Sequence, residues 1–390
     1  MINWNSFDVG SGALLQFDQP TSSSATLNRV TGSAGSDIHG QITANGSVFV
    51  VNPNGIFIGA DGSIQAGGGF VASTLDVTND DFQNGNLRFE GNGASATVEN
   101  AGTITVGRGG YAALLGGHVA NSGTISVPMG RIAFGSGERV TLDLSGDGFL
   151  QVAVPTEAIS EEGQALIEHS GSVAAEGGRI EMKAATAREA VRQAVNLSGI
   201  AEATSVQPRG GTIILGGGAG GQVQVSGRVS ARAEIVTAVE TSVRPQTRPA
   251  QGGDITITGV DIALSSAEID ASGAEGGGRI RIGGDFAGAG DLPRAETVIA
   301  DVVTTLTSDA LDDGDCGRIV VWSDEVTEFA GTISARGGDT GGDGGFVEVS
   351  SAQTLTYTGR TNTTAALGAT GTLMLDPTDI INHTVDEQIA

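Results

Sequence analysis

Few side chains in this 390-residue sequence are equipped for chemistry. The four histidines, His39, His118, His169 and His383, are scattered and share no metal-ligand spacing. The single cysteine, Cys316, excludes a disulfide framework and a cysteine-ligated zinc site. Nothing beside it marks a nucleophile, so it reads as a small buried residue or a free thiol. Two acidic, glycine-rich stretches, residues 309–315 and 337–345, carry carboxylates that could hold calcium. Neither keeps the ligand spacing of an EF-hand or of a calcium-binding nonapeptide repeat, and both read as solvated turns. No metal and no cofactor is expected.

Sugar cleavage would need clustered carboxylates and aromatic platforms. The only Trp and Tyr residues are Trp4, Trp322, Tyr111 and Tyr357, and the carboxylates are spread along loops rather than paired within a repeated string. An enzyme is therefore not expected. The sequons at Asn45, Asn196, Asn362 and Asn382 read as chance matches in a chain rich in Ser and Thr.

The string Asn52-Pro53-Asn54-Gly55, followed by Ile56, stands between two apolar runs, Ser47–Val51 and Ile56–Ile58. Proline at the second turn position presets φ, Asn54 tolerates the bridge or left-handed region, and Gly55 releases the chain. The Asn52 side chain can accept from backbone N–H groups just downstream. Taken alone, the string is a turn.

The elements that must carry these residues are strands. Alternating strings led by glycine recur: Gly102-Thr-Ile-Thr-Val106, Gly123-Thr-Ile-Ser-Val127, Gly331-Thr-Ile-Ser-Ala335, and a second set such as Gly278-Arg-Ile-Arg-Ile282 and Gly317-Arg-Ile-Val-Val321. Alternation puts the apolar side chains on one face. Steps of 21 residues from Gly102 to Gly123, and 28 and 26 residues along Gly317, Gly345 and Gly371, fit a coil better than a sandwich. The expected fold is all-β: a right-handed, single-stranded parallel β-helix with short extra-helical elements. Gly makes up 63 residues, about twice the average share, and is assigned to corners whose φ other residues resist. Residues 156–169 and 183–194 carry helix formers and are expected as short helices on the coil. Residues 241–251, with Pro245 and Pro249, read as a loop.

Charge narrows the partners. Asp and Glu number 45 against 20 Lys and Arg, a net charge of −25, and the only lysine is Lys183. Such a chain repels nucleic acid, and no run of 18 apolar residues offers a transmembrane helix.

Several strings together closely resemble the haemagglutination-activity domain, the N-terminal secretion domain of filamentous-haemagglutinin-like adhesins exported by two-partner secretion. They are Ile2-Asn-Trp-Asn-Ser-Phe7, Asn28-Arg29-Val30, Asn45-Gly-Ser-Val-Phe49, Asn52-Pro53-Asn54-Gly55-Ile56 and Gly69-Phe-Val-Ala-Ser-Thr-Leu-Asp76. The likeness continues through Gly110-Tyr-Ala-Ala-Leu-Leu115 and Val140-Thr-Leu-Asp-Leu144. It implies a partial secretion domain over residues 1–155 and a continuing β-helix repeat region over 156–390. It also implies a parallel β-helix, export through an outer-membrane pore partner, and a secretion motif at Asn28, Arg29, Val30, Asn52, Pro53, Asn54, Gly55 and Ile56. The product would be a secreted or surface adhesin of a Gram-negative bacterium that contacts an unknown host-cell or surface ligand. In the family, the Ile-Asn-Trp string follows a signal peptide and capping strands, whereas here it stands at Met1. A truncated product or a misplaced start is therefore expected. The family's other motif, Asn-Pro-Asn-Leu, is absent from this sequence. The alternatives are a polysaccharide-cleaving β-helix enzyme and the stalk of a contact-dependent toxin.

Overall fold

The computed structural model describes residues 1–93, 95–144, 148–156, 164–187, 192–205, 210–234 and 250–381. The chain falls into two compact units. The first comprises residues 1–175, 180–200 and 215–223, and the second 176–179, 201–214 and 224–390.

In the first unit each turn of chain passes through a first, a second and a third sheet and then returns one level along. The first sheet takes Ile2–Trp4, Ala25–Val30, Ser47–Val51, Gly69–Ser73, Tyr111–Gly116 and Arg131–Ser136 in that order. The second takes Ser36–Ile38, Ile56–Ile58, Thr97–Asn100, His118–Asn121, Ile167–His169 and Arg192–Leu197. The third takes Leu14–Phe17, Gln41–Ala44, Ser63–Ala66, Thr103–Val106, Thr124–Ser126 and Ser172–Ala174. Pairing is parallel and in register, so like stacks on like. One ladder joins Leu15, Ile42, Ile64, Ile104, Ile125 and Val173, and its members from Ile42 onward are fully buried. Burying each such side chain stabilises the coil by roughly 1.5–3 kcal/mol.

The second unit repeats the plan. Its first sheet contains Asp254–Thr258, Arg279–Ile282, Arg318–Ser323, Phe346–Ser351 and Thr372–Met374. Its third sheet stacks Val229, Ile269, Leu306 and Ile333 in one buried ladder. The fold is a right-handed parallel β-helix, the hand that parallel crossover connections almost always take.

Glycine works differently from the sequence expectation. The glycines that open the third-sheet strings, Gly102 and Gly123 among them, do not have positive φ. They form a column, Gly62, Gly102, Gly123, Gly171 and Gly199, in which a Cβ on each from Gly102 onward would overlap the carbonyl oxygen of the glycine one coil below. A second column, Gly211, Gly253, Gly278, Gly317, Gly345 and Gly371, does the same in the second unit. Close approach between coils, rather than a special φ, demands glycine there.

The helix expectations also need correction. Residues 157–163 and 188–191 lie outside the described residues, but the described flanks are strands: Ile167–His169, the end of Arg179–Ala184, and Arg192–Leu197. Pairing with adjacent coils and burial of Ile167, Ala194 and Val195 override local helix propensity. Of the expected loop, residues 241–249 lie outside the described residues, as do His383 and Asn382.

The extra-helical elements lie elsewhere. A helix, Asn79–Gln83, and a three-stranded antiparallel sheet of Leu87–Glu90, Arg139–Leu142 and Leu150–Ala153 cover the outer face of the first sheet. They seal a second core of Leu27, Phe49, Val71, Phe89, Val140 and Phe149. This explains why Ser47–Val51 and Gly69–Ser73 are buried along their whole length.

Candidate functional site

The Asn52–Gly55 turn forms the corner between first-sheet strand Ser47–Val51 and second-sheet strand Ile56–Ile58. The Asn52 backbone N–H still donates to Ser73 O of the next coil at 2.9 Å. Pro53, at the second turn position, has no N–H to leave unpaired. Gly55 N–H donates back to Asn52 O at 3.1 Å and closes the turn, with Gly55 at φ +115°. Asn54 keeps a negative φ, so glycine alone carries the left-handed step. Ile56 then enters the core at 2% exposure, between Ser36 of the coil below and Val98 of the coil above.

The two asparagines divide the work. Asn52 is fully buried. Its Oδ1 accepts from Asn54 N–H at 3.0 Å, as the sequence suggested, and its Nδ2 donates to Ala34 O at 3.0 Å and Ser36 Oγ at 2.9 Å. Asn54 and Pro53 are exposed. The Asn54 amide reaches back to Gly32 O at 2.9 Å and to Asn52 Oδ1 at 3.1 Å. The carbonyls that receive both amides belong to the segment just after Val30, so the Asn28-Arg29-Val30 strand delivers the floor on which the corner sits.

Within that strand the side chains alternate. Asn28 points inward and is fully buried, accepting from Trp4 Nε1 and donating to Phe49 O, both at 3.1 Å, so one amide links three coils. Val30 is buried beside it. Arg29 points outward, away from the corner's network. Its Nε pairs with Asp76 at 2.8 Å, its Nη1 donates to Asn79 Oδ1 at 2.9 Å, and its other nitrogen donates to Val77 O. It anchors the start of the Asn79–Gln83 helix, which Thr78 caps through its hydroxyl to Asp81 N–H. The structure thus joins six of the eight motif residues at one corner or directly beneath it. Asn28 and Arg29 serve neighbouring contacts.

Sequence reasoning missed Glu138, for which there is no local signal. Nearly buried, its carboxylate accepts from Gly93 N–H, Ser95 Oγ and Thr156 Oγ, each at 2.9 Å. Burial works to raise its pKa, but these donors outweigh it and hold the group below the usual carboxylate value. The outer cover of the first sheet did leave a trace. The uninterrupted run Val48-Phe49-Val50-Val51 is what a strand buried on both faces looks like.

Several of the residues weighed for chemistry are engaged in the fold. Tyr357 is fully buried with its hydroxyl on Thr361, and Trp322 is nearly buried. His169 is locked inside the second-sheet corner, where Asn121 Nδ2 lies 3.1 Å from its Nδ1 and Ile200 O lies 3.0 Å from its Nε2. A carbonyl only accepts, so Nε2 carries the proton and Nδ1 accepts from Asn121. Burial, then the carboxylates of Asp309 and Asp315, push the Cys316 thiol up to about 12, so at neutral pH it is no thiolate. Among the described residues no group of three or more His, Cys, Asp or Glu is placed to hold a metal, and no helix is long and apolar enough to cross a membrane.

A stacked coil with a covered first sheet, whose most specific local feature is a hydrogen-bonded corner, defines the class: a parallel β-helical domain. The chain belongs to the TPS (two-partner secretion) secretion domain family, which matches residues 1–231. It is similar to the crystal structure of the HMW1 secretion domain from Haemophilus influenzae, with TM-score 0.72 and 30% identity, covering 96% of this chain and 92% of that one. A heme/hemopexin-binding protein of Haemophilus influenzae strain Rd is 30% identical over 283 residues, covering 69% of this chain and 30% of the relative. A second Haemophilus influenzae heme/hemopexin-binding protein is 28% identical over 257 residues, 60% of this chain and 26% of the relative. The chain thus spans under a third of the length of these curated relatives. Proteins that carry TPS domains are secreted exoproteins of Gram-negative bacteria.

Proposed function

We propose that this domain directs export of an adhesin-type exoprotein by presenting the Pro53-Asn54 tip of the Asn52–Gly55 corner to an outer-membrane pore partner. The observation that carries the reading is the split within one turn. Asn52 is sealed inside and holds the turn to the coil below, while Pro53 and Asn54 face outward on a fixed backbone. A preorganised exposed tip costs little conformational entropy to bind. Asn28, Val30 and Ile56 contribute by building the coil, and Arg29 by holding the helical excursion. Folding outside the cell draws the chain forward, because each new coil buries its aliphatic ladder against the previous one.

The test is to co-express the full exoprotein with its transporter and compare Asn54→Ala with Asn52→Ala. Asn54→Ala is expected to lose export while the purified domain keeps its protease resistance. Export at the wild-type level by Asn54→Ala and by a Pro53→Ala, Asn54→Ala double variant would overturn the recognition role.

A further inference from the structure

The third sheet of the first unit faces outward with two columns of side chains whose register is set by parallel pairing. One column runs from Leu14 to Ser172. The other is Gln16, Thr43, Gln65, Thr105, Ser126 and Ala174. Successive groups in a column repeat at the parallel-strand spacing of about 4.8 Å. Neither column contains a charged residue, although the chain carries 45 acidic and 20 basic side chains. The second sheet of the same unit instead turns out Asp37, Glu99 and Glu168. The third sheet of the second unit turns out Arg228, Glu268 and Arg360.

The neutral ladder is also concave. Gln16, Thr43, Gln65 and Thr105 line a trough of about 490 Å³, with Phe17 at one end and Asn45, Gly67 and Gly107 along one side. The glycines keep that side low. The side chains of Gln16, Thr43, Gln65 and Thr105 make no hydrogen bond to any other described residue, so their amides and hydroxyls face the trough unspent. Phe17, half-buried, lines one end of the trough.

We propose that this trough binds a neutral, extended polysaccharide strand lying across the coils. Gln16, Thr43, Gln65 and Thr105 would read its hydroxyls. Three features select that occupant. The chain's net charge of −25 disfavours anionic polymers, while the only carboxylate among the trough's lining residues is Asp18. A row of donors and acceptors at fixed spacing matches a polymer whose hydroxyls also repeat. The groups stand on strands rather than loops, so binding orders little that is not already ordered. This goes beyond the export reading and does not depend on it.

The test uses the purified, folded chain without any transporter. Its mobility is measured in native gels containing hydroxyethylcellulose, galactomannan or dextran, with alginate as the anionic comparison. At least one neutral polymer is expected to retard the protein, and added salt should leave the retardation unchanged. A Gln16→Ala, Gln65→Ala double variant is expected to weaken it about fivefold or more, and Thr43→Glu to abolish it. Glu99→Gln, on the second sheet, should bind as wild type. Circular dichroism and thermal melts check that each variant is folded. Four results would overturn the proposal: no retardation by any neutral polymer, equal binding by the folded ladder variants, stronger retardation by alginate, or a dimer in sedimentation that the same variants dissolve.

Discussion

Asn52 and Asn54 stand two residues apart on opposite sides of the molecular surface, joined by a 3.0 Å bond from the Asn54 backbone N–H to the buried Asn52 Oδ1. The outer residue is therefore held in place by the inner one. Truncating the two should have unlike consequences.

Asn52→Ala leaves Ala34 O, Ser36 Oγ and Asn54 N–H without their buried partner. A loss of about 2–3 kcal/mol is expected, read as a lower urea midpoint and faster proteolysis. Asn54→Ala removes bonds at an exposed site and should change stability by about 0.5 kcal/mol or less. If both variants lose stability equally, the two roles are not separate.

Gly123→Ala puts a methyl group against Gly102 O, and the same column leaves no room for the chain to back away. Overpacking of this kind costs about 1–3 kcal/mol. Gly109, at φ +75° with nothing near its Cβ position, is the informative comparison. There alanine should pay only the backbone penalty of about 1 kcal/mol. Urea titration of the two variants checks the order.

Arg29→Ala should act locally. Its ion pair with half-exposed Asp76 is worth little alone, but the bonds to Asn79 and Val77 O tie the helix Asn79–Gln83 to the coil. A loss of about 1–2 kcal/mol is expected, with amide exchange rising over residues 76–90 and the Ile42–Ile125 ladder unchanged.

Acid should weaken the fold in stages. Burial holds His118 and His169 below the ordinary histidine value. As pH falls through about 6.5, the unfolded chain takes up protons that the folded chain refuses, so stability falls from there down to the depressed folded values. Glu138, also held low, adds its loss only in the carboxylate range. Glu348 runs the other way. Burial raises it, so its contribution is complete below its ordinary value and is lost as pH rises through the folded one. Urea midpoints at pH 7.5 and 5.5 should show the histidine slope, and His169→Gln should flatten it. Glu348→Gln should gain stability at pH 7 relative to pH 4.

The coil itself was legible in the sequence. A string such as Gly123-Thr-Ile-Ser-Val127 carries its own strand pattern, and its recurrence puts Ile125 over Ile104 without any long-range information. The turn at Asn52–Gly55 was legible because the two bonds that close it, Gly55 N–H to Asn52 O and Asn54 N–H to Asn52 Oδ1, lie within three residues; its bonds to Gly32, Ala34, Ser36 and Ser73 were not. What the glycines do was not. Only the stacked structure shows that Gly123 faces the carbonyl of Gly102, because that clash exists between coils and not within one.

The sequence alone therefore determined strand type, the repeat, and the corner that joins two strands, all of which follow from neighbours in the chain. Tertiary structure alone decided that Leu87–Glu90 would pair with Arg139–Leu142 some fifty residues on and cover the first sheet. It also decided that Ile167–His169 would be a strand despite helix-forming neighbours, and that Asn54 would face outward while Asn52 is sealed in. Those outcomes depend on what packs across the coils, and burial and hydrogen bonding gained there exceed the few tenths of a kcal/mol per residue, about 0.7 at most, that separate ordinary local preferences.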